Sequence, residues 1–237
     1  MIELFYFVSP NARKIQMALD ELGLRYEVRW VDITKGEQFD PGFVRVNPNS
    51  KIPAIVDHDG PGGRPVRLFE SGAILHYLAE KTGRLLPADP ATRWEATCWV
   101  FWQVANQGPN CGQAAHFCTY APGAGIHDDY ARRRYVREAG RCYQVLEDRL
   151  AGREYLAGEF SIADIACFPW TRLGRGHGVA LADYPAVQEW SDRIAARPSA
   201  QTKITDRRDE NVKDFQYTPQ QREVLFGIPA EPPNPGR

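Results

Sequence analysis

"IELFYFVSPNARKIQMALDELGLRYEVRWVD", Ile2–Asp32, changes its hydrophobic period twice, and those two changes decide the fold. Ile2–Phe7 is a short apolar run of strand length. Ile15, Ala18, Leu19 and Leu22 then recur at helical spacing. Gly23 follows the last of them and suits a left-handed helix cap. Tyr26–Asp32 returns to a strand pattern. A strand, a helix and a strand in succession form a βαβ unit, whose two strands are expected to lie parallel.

Between the first strand and the helix stand Ser9, Pro10 and Asn11, with the helix predicted to begin at Pro10 or Asn11. In redox proteins of the thioredoxin kind a reactive cysteine occupies this strand-to-helix corner. Here the corner holds no sulfur. Ser9 and Asn11 are both good helix caps. Tyr6 lies within the strand pattern and is assigned to the core.

Downstream, a short helix is expected near 41–46. Pro53 precedes a third strand, Ala54–Val56, and "DGPGGRP" (Asp59–Pro65) is a cluster of turn formers. Val66–Phe69 is a fourth strand, so residues 54–69 form a hairpin. "ESGAILHYLAEKTG" then places Ile74, Leu75 and Leu78 at helical spacing and ends on Gly83. This βαβ-ββα order fills residues 1–84, and 85–92, with two prolines, reads as a linker.

After the linker the strand signals stop. Trp94, Cys98, Phe101, Trp102 and Ala105 share one helical stripe, read as facing inward, before "GPNCG" interrupts it. A second long helix has Tyr135, Ala139, Cys142, Leu146 and Leu150 on its apolar face. In "FSIADIACFPW", Ser161 and Asp164 have capping-box spacing, and Phe160 with Ile165 can form a staple. A further helix from Pro185 turns Val187, Trp190 and Ile194 inward and ends at Pro198. Residues 93–205 are therefore expected to be all-helical, and 206–237 to be an extended polar and proline-rich tail.

The composition is that of an ordinary globular chain, with 43% hydrophobic and 25% charged residues. A formal net charge of -1 gives no drive toward nucleic acid or a membrane surface. No apolar run is long enough to span a bilayer, and the start lacks the pattern of a signal peptide. A cytoplasmic protein is expected. The five cysteines form no CxxC pair, and the odd count argues against a disulfide framework. Cys111, His116 and Cys118 match no zinc spacing, so no metal is expected.

Four motifs in order, Ser9-Pro10-Asn11, Lys51-Ile52-Pro53, Glu70-Ser71 and Ser161–Asp164, resemble the cytosolic glutathione transferases. The resemblance covers residues 1 to about 200. "KGEQF", "PNSKIPAIVDH", "LFESGAILHYLAEKTG", "FWQV" and "SIADIAC" narrow it to the bacterial Nu class, relatives of the yeast nitrogen-regulatory prion protein. It implies a thioredoxin-like N-terminal domain followed by an all-α C-terminal domain. It also implies glutathione as co-substrate, disulfide reduction more than conjugation, and a homodimer.

Residue by residue, the resemblance implies that Glu70 faces the glutathione ammonium and Ser71 its γ-glutamyl carboxylate. Ile52, before a cis Pro53, would pair with the cysteinyl peptide, and Lys51 and Gln38 would reach the glycyl end. Ser9 stands where some relatives carry threonine, and with Asn11 it would meet the thiol. An arginine would cross the dimer interface to glutathione. Arg134 matches it, although the run Arg132, Arg133, Arg134 leaves the register open. Trp102, Phe117 and Tyr120 are candidates for the acceptor pocket, with His116 structural or on its rim. Glu70-Ser71 as a plain helix cap, and the aromatic residues as plain core, are the competing readings. A lyase or etherase acting on aromatic ethers, and a regulator of this fold without turnover, are the competing functions for the whole chain. No protein cysteine is needed in the chemistry.

Overall fold

A computed structural model describes residues 1–204 and 217–230. Its first unit is β1 (Ile2–Tyr6), α1 (Pro10–Leu22) and β2 (Tyr26–Trp30), followed by α2 (Pro41–Val44). The hairpin β3 (Ala54–Asp57) and β4 (Val66–Phe69) leads into α3 (Ser71–Thr82). The sheet order is β2-β1-β3-β4, with β1 and β2 parallel and the other two pairs antiparallel. Ser9 caps α1 by accepting a hydrogen bond from the Ala12 amide at 3.1 Å. Pro10 takes the first helical position, where a missing N–H costs nothing, and Gly23 ends the helix at φ 67°.

The strand register gathers the motif positions. Tyr6 pairs with Trp30, Phe5 with Ala54, and Ala54 with Phe69. The segments after β1, after β2, before β3 and after β4 therefore all emerge at one end of the sheet. Ser9, Gln38, Pro53 and Ser71 lie on those segments.

The second part is helical: α4 (Pro90–Trp102), α5 (Gly108–Ala115), α6 (Asp129–Leu150), α7 (Ile162–Thr171), α8 (Pro185–Ala195) and α9 (Pro198–Gln201). Helix α4 already starts at Pro90, capped by Asp89, so the expected linker is shorter than 85–92. "GPNCG" does not break the chain. Wide π-turns at Gln103–Gln107 and His116–Tyr120 carry one helical rod from Pro90 to Tyr120. Pro109 cannot donate to the preceding turn, and the wider turn just before it absorbs the missing bond. Gly108 fits closely there: a Cβ would stand 3.2 Å from the Gln103 side chain and 3.3 Å from its backbone carbonyl oxygen, so the turn would have to shift slightly.

The inward stripe expected on α4 faces outward instead. Trp94 is 69% exposed and Phe101 65%, Cys98 and Ala105 are exposed as well, and Trp102 is half-buried. The helix packs through Ala96, Thr97 and Val100. Both faces of α4 are apolar, and the face with the small residues is the one that packs inward, with α7 as a main neighbour. Pro198 opens α9 rather than only stopping α8, since proline suits a first helical position. The tail is not wholly extended: α10 (Pro219–Phe226) forms on a Thr218–Gln221 capping box. Residues 205–216 and 231–237 of the expected tail lie outside the described residues.

One hydrophobic core runs through both parts, from Leu4 and Ile15 through Leu75 and Leu78 to Leu146, Ile165 and Trp190. Helix α1 is its hinge line, packed on α3 on one side and on α7 on the other. The start of α1 is thereby held between the sheet domain and the helical domain.

Candidate functional site

At the head of α1 the Ser9 hydroxyl oxygen is engaged by the Ala12 amide, while its hydrogen remains available to donate. Two residues on, Asn11 Oδ1 accepts a hydrogen bond from the indole Nε1–H of Trp170 at 2.9 Å. An indole nitrogen can only donate, so the amide atom facing it must be the oxygen. The Asn11 amide is therefore fixed with Nδ2 as its outward group, which has no partner among the described residues. Trp170 comes from α7 of the helical domain, so that domain sets the orientation of the corner's donor.

The corner opens on a cleft of about 570 Å³ between the two domains. Tyr6, Ser9 and Arg13 of the sheet domain, Trp170 and His177 of the helical domain, and Tyr120 with Phe226 of α10 line it. Asn11 does not line the cleft but is hydrogen-bonded to Trp170, which does. Tyr6 is core, 4% exposed and edge-on to Trp30, yet its edge reaches the cleft. Burial pushes the His177 imidazole down to about 4, so it is neutral at ordinary pH.

The other sheet-end motifs form a second cluster. The Ile52–Pro53 bond is cis. Glu70 adopts φ 67°, ψ 113°. A non-glycine residue held there costs about 1–3 kcal/mol, a strain that concentrates at ligand sites. Ser71 begins the 12-residue α3, is 6% exposed, and its Oγ accepts from the fully buried Lys14 Nζ at 3.1 Å. Gln38 is buried with its Oε1 lacking a partner, while Lys51 is exposed.

The remaining sequence candidates divide. Tyr120 lines the cleft, and His116 lines a smaller recess of about 290 Å³ next to it, shared with Tyr120 and Phe226. Trp102 stands edge-on to Trp99, and Phe117 stacks on Tyr135, so neither is in the wall. Arg134 is on the exposed face of α6, 3.4 Å from Glu138, and touches none of these groups within the subunit. Among the described residues no group of His, Cys, Asp or Glu could hold a metal ion, and no helix is long and apolar enough to cross a membrane.

Sequence reasoning missed Lys14, Trp170, His177 and Phe226. A lysine four residues past a helix start reads as solvated, and the others are remote in sequence from the corner they meet. The Trp170 position had one signal: an aromatic residue just past the capping-box run that starts α7.

Comparison with known proteins agrees with this geometry. The family described as glutathione S-transferase, N-terminal domain, matches residues 8–81, and the corresponding C-terminal domain matches residues 104–198. The disulfide-bond oxidoreductase YfcG of Escherichia coli K12 is 48% identical over 201 residues, 84% of this chain and 92% of that protein. A glutathione transferase of Burkholderia graminis, solved with two glutathione molecules per subunit, superposes with TM-score 0.80 at 46% identity, over 84% of this chain and 85% of that one. One from Pseudomonas putida, solved with one glutathione disulfide per subunit, gives TM-score 0.81 at 42% identity, covering 84% and 89%. With both domain patterns matched in order and relatives this similar along most of their length, the chain belongs to the glutathione S-transferase family.

Proposed function

We propose that this protein is a glutathione-dependent disulfide reductase whose only nucleophilic sulfur is that of bound glutathione. The observation that carries this is the sulfur-free corner. A hydroxyl, an oriented amide donor and a helix N-terminus stand where a thiolate would be stabilised, next to a cleft wide enough for a second molecule. The relatives point the same way, one named as a disulfide-bond oxidoreductase and one solved with glutathione disulfide. Arg13 and Arg172 in the cleft wall suit an acceptor bearing carboxylates, such as a glutathione mixed disulfide. Five unpaired cysteines suit a reducing, cytoplasmic setting.

In this reading Glu70 and Ser71 hold the γ-glutamyl end, Ile52 and Pro53 the cysteinyl backbone, and Lys51 with Gln38 the glycyl end. The test is a panel in which glutathione meets a small disulfide, an electrophilic aryl halide and a peroxide. The disulfide should turn over fastest. Preferential turnover of the aryl halide would replace reduction by conjugation, and no turnover of any would favour a regulator.

Ser71→Ala should weaken glutathione binding by about 1–3 kcal/mol, because the hydroxyl bonds a charged group. Calorimetry giving an unchanged affinity would remove Ser71 from the site.

A homodimer is part of the same proposal. The outward stripe of α4, with Trp94 and Phe101, leaves two large aromatic faces in water, and burying each fully is worth about 1.5–3 kcal/mol. Phe101→Glu should therefore shift the protein to monomers by light scattering. If Arg134 reaches the partner's glutathione, Arg134→Ala should weaken binding while the protein stays dimeric. A monomeric native protein would overturn both statements.

A further inference from the structure

Lys14 has no place in the chemistry described so far, yet it is among the most completely enclosed side chains of the protein, at 1% exposure. Its ammonium donates to Ser71 Oγ of α3 at 3.1 Å and to Gln103 Oε1 in the first π-turn. Both acceptors are neutral oxygens, and among the described residues no carboxylate forms an ion pair with it. A buried cation without a counter-ion is costly, and the structure keeps one where it touches the hydroxyl assigned to an anion.

The geometry has a direct consequence for Ser71. An ammonium has hydrogens to give and no lone pair to accept with, so Ser71 Oγ must accept from Lys14. The hydroxyl hydrogen is then directed away from Lys14, free for the ligand at the head of α3. Two hydrogen bonds end to end place a bound carboxylate about 5 Å from the ammonium, well within electrostatic reach in a site with little water. The π-turn supplies the third corner: its wide register turns Gln103 toward α1, and Gln103 is itself fully buried.

We propose that Lys14 is the buried counter-charge and positioning residue for the γ-glutamyl carboxylate of glutathione, acting through Ser71, and that it takes up a proton when that carboxylate binds. This rests on the assignment of Ser71 to the glutathione site. Burial depresses the empty-site ammonium to about 7, partly offset by Cys167 and Glu70. These are the titratable groups that face it, Cys167 from α7 and Glu70 from the head of α3. The α9 side brings Arg197, but further along α1, paired with Glu21. Gln103 and Ser71 do not titrate at these pH values. Burial pushes the Cys167 thiol up, so it stays neutral.

The sign follows from linkage. An anion arriving beside Lys14 raises its pKa, so the complex holds more protons than the free protein above about pH 7. Affinity is therefore full below that pH and falls as pH rises through it, by up to about tenfold per pH unit until the complex's own pKa is reached. A ligand lacking that carboxylate gains nothing from the proton.

The experiment uses the full-length protein and S-methylglutathione, whose sulfur cannot ionise, so that thiol titration is excluded. Calorimetry at about pH 8 in two buffers of different ionisation enthalpy reads the protons taken up directly. The wild-type protein should take up most of one proton more than Lys14→Gln, which keeps a donor but no charge and should bind about tenfold or more weakly; uptake by the ligand's own amine beside Glu70 is common to both proteins and cancels in the difference. The wild-type measurement needs no variant to fold, and Lys14→Met offers a second neutral replacement. Tight binding of S-methylglutathione with no proton uptake overturns the role of Lys14 and leaves the glutathione site standing. Uptake that persists undiminished in Lys14→Gln also overturns it. Absence of S-methylglutathione binding to the wild-type protein overturns the site itself, and the inference with it.

Discussion

Asp164→Ala is expected to lower the unfolding free energy by about 3–5 kcal/mol, the range for removing one partner of a buried charged network. Asp164 is fully buried and gathers four donors. Oδ1 accepts from the Leu156 amide at 3.0 Å and from the Trp190 indole at 2.8 Å. Oδ2 accepts from the Ser161 amide at 3.0 Å and the Ser161 hydroxyl at 3.3 Å. Truncation leaves three N–H groups buried without acceptors, each costing about 1–3 kcal/mol. It also frees Trp190, the largest fully enclosed side chain among the described residues, from its hydrogen bond to α7.

Burial pushes the Asp164 carboxyl up to about 6, so near neutral pH it is still chiefly ionised and can accept from all four donors. Asp164→Asn separates this network from mere bulk: the shape survives, but an amide must turn an NH2 toward N–H donors. Urea titration followed by tryptophan fluorescence should show both variants strongly destabilised. An asparagine variant as stable as the wild type would mean that shape, not charge-assisted bonding, holds the start of α7.

The capping box was readable because its residues lie three apart and act on adjacent backbone. The βαβ unit was readable because its hydrophobic period switches within a few residues and Gly23 marks the stop. What escaped depends on contacts between distant segments. The α4 stripe was assigned to the wrong side because amphipathicity says which residues are apolar, not which of two apolar faces a neighbouring helix selects. The π-turns leave no residue signature apart from Pro109, whose missing N–H looks the same in a break and in a widened turn. Lys14 is spaced like the apolar residues of α1 but reads as a surface lysine until α3 and the π-turn close over it. The twisted backbone of Glu70 is likewise invisible, since no glycine or asparagine announces it. Trp170 and Asn11, 159 positions apart, meet only in the folded protein. Local chemistry thus proposed the corner, while the contact that orients Asn11 came from the helical domain.

That orientation bears on the second large effect, a loss of about tenfold to a hundredfold in kcat for a small disulfide in Asn11→Ala. In the proposed reading Asn11 is a donor to the thiolate, and losing one bond to a charged atom costs about 1.5–3 kcal/mol. Trp170→Phe keeps an aromatic ring but removes the pyrrole part of the indole, and with it the N–H that holds Asn11 Oδ1, so the amide can turn its oxygen toward the thiolate. It should lose activity as well, by less. Ser9→Ala should fall between Asn11→Ala and the wild type, because backbone N–H groups at the start of α1 partly substitute for the hydroxyl. A protein with all five cysteines replaced should, if it stays folded, keep most of its activity. Burial pushes the Cys111, Cys142 and Cys167 thiols up, away from the reactive thiolate, and exposed Cys98 lies on the outer stripe of α4. The reaction balances without them. Bound glutathione thiolate attacks one sulfur of the substrate disulfide, forming a mixed disulfide and expelling the other sulfur as a thiolate. A second glutathione thiolate attacks the mixed disulfide, giving glutathione disulfide and the second substrate thiolate. Two glutathiones are oxidised and one disulfide is reduced. Steady-state rates decide it: an inactive cysteine-free protein beside a fully active Asn11→Ala variant would move the nucleophile from the ligand to the protein.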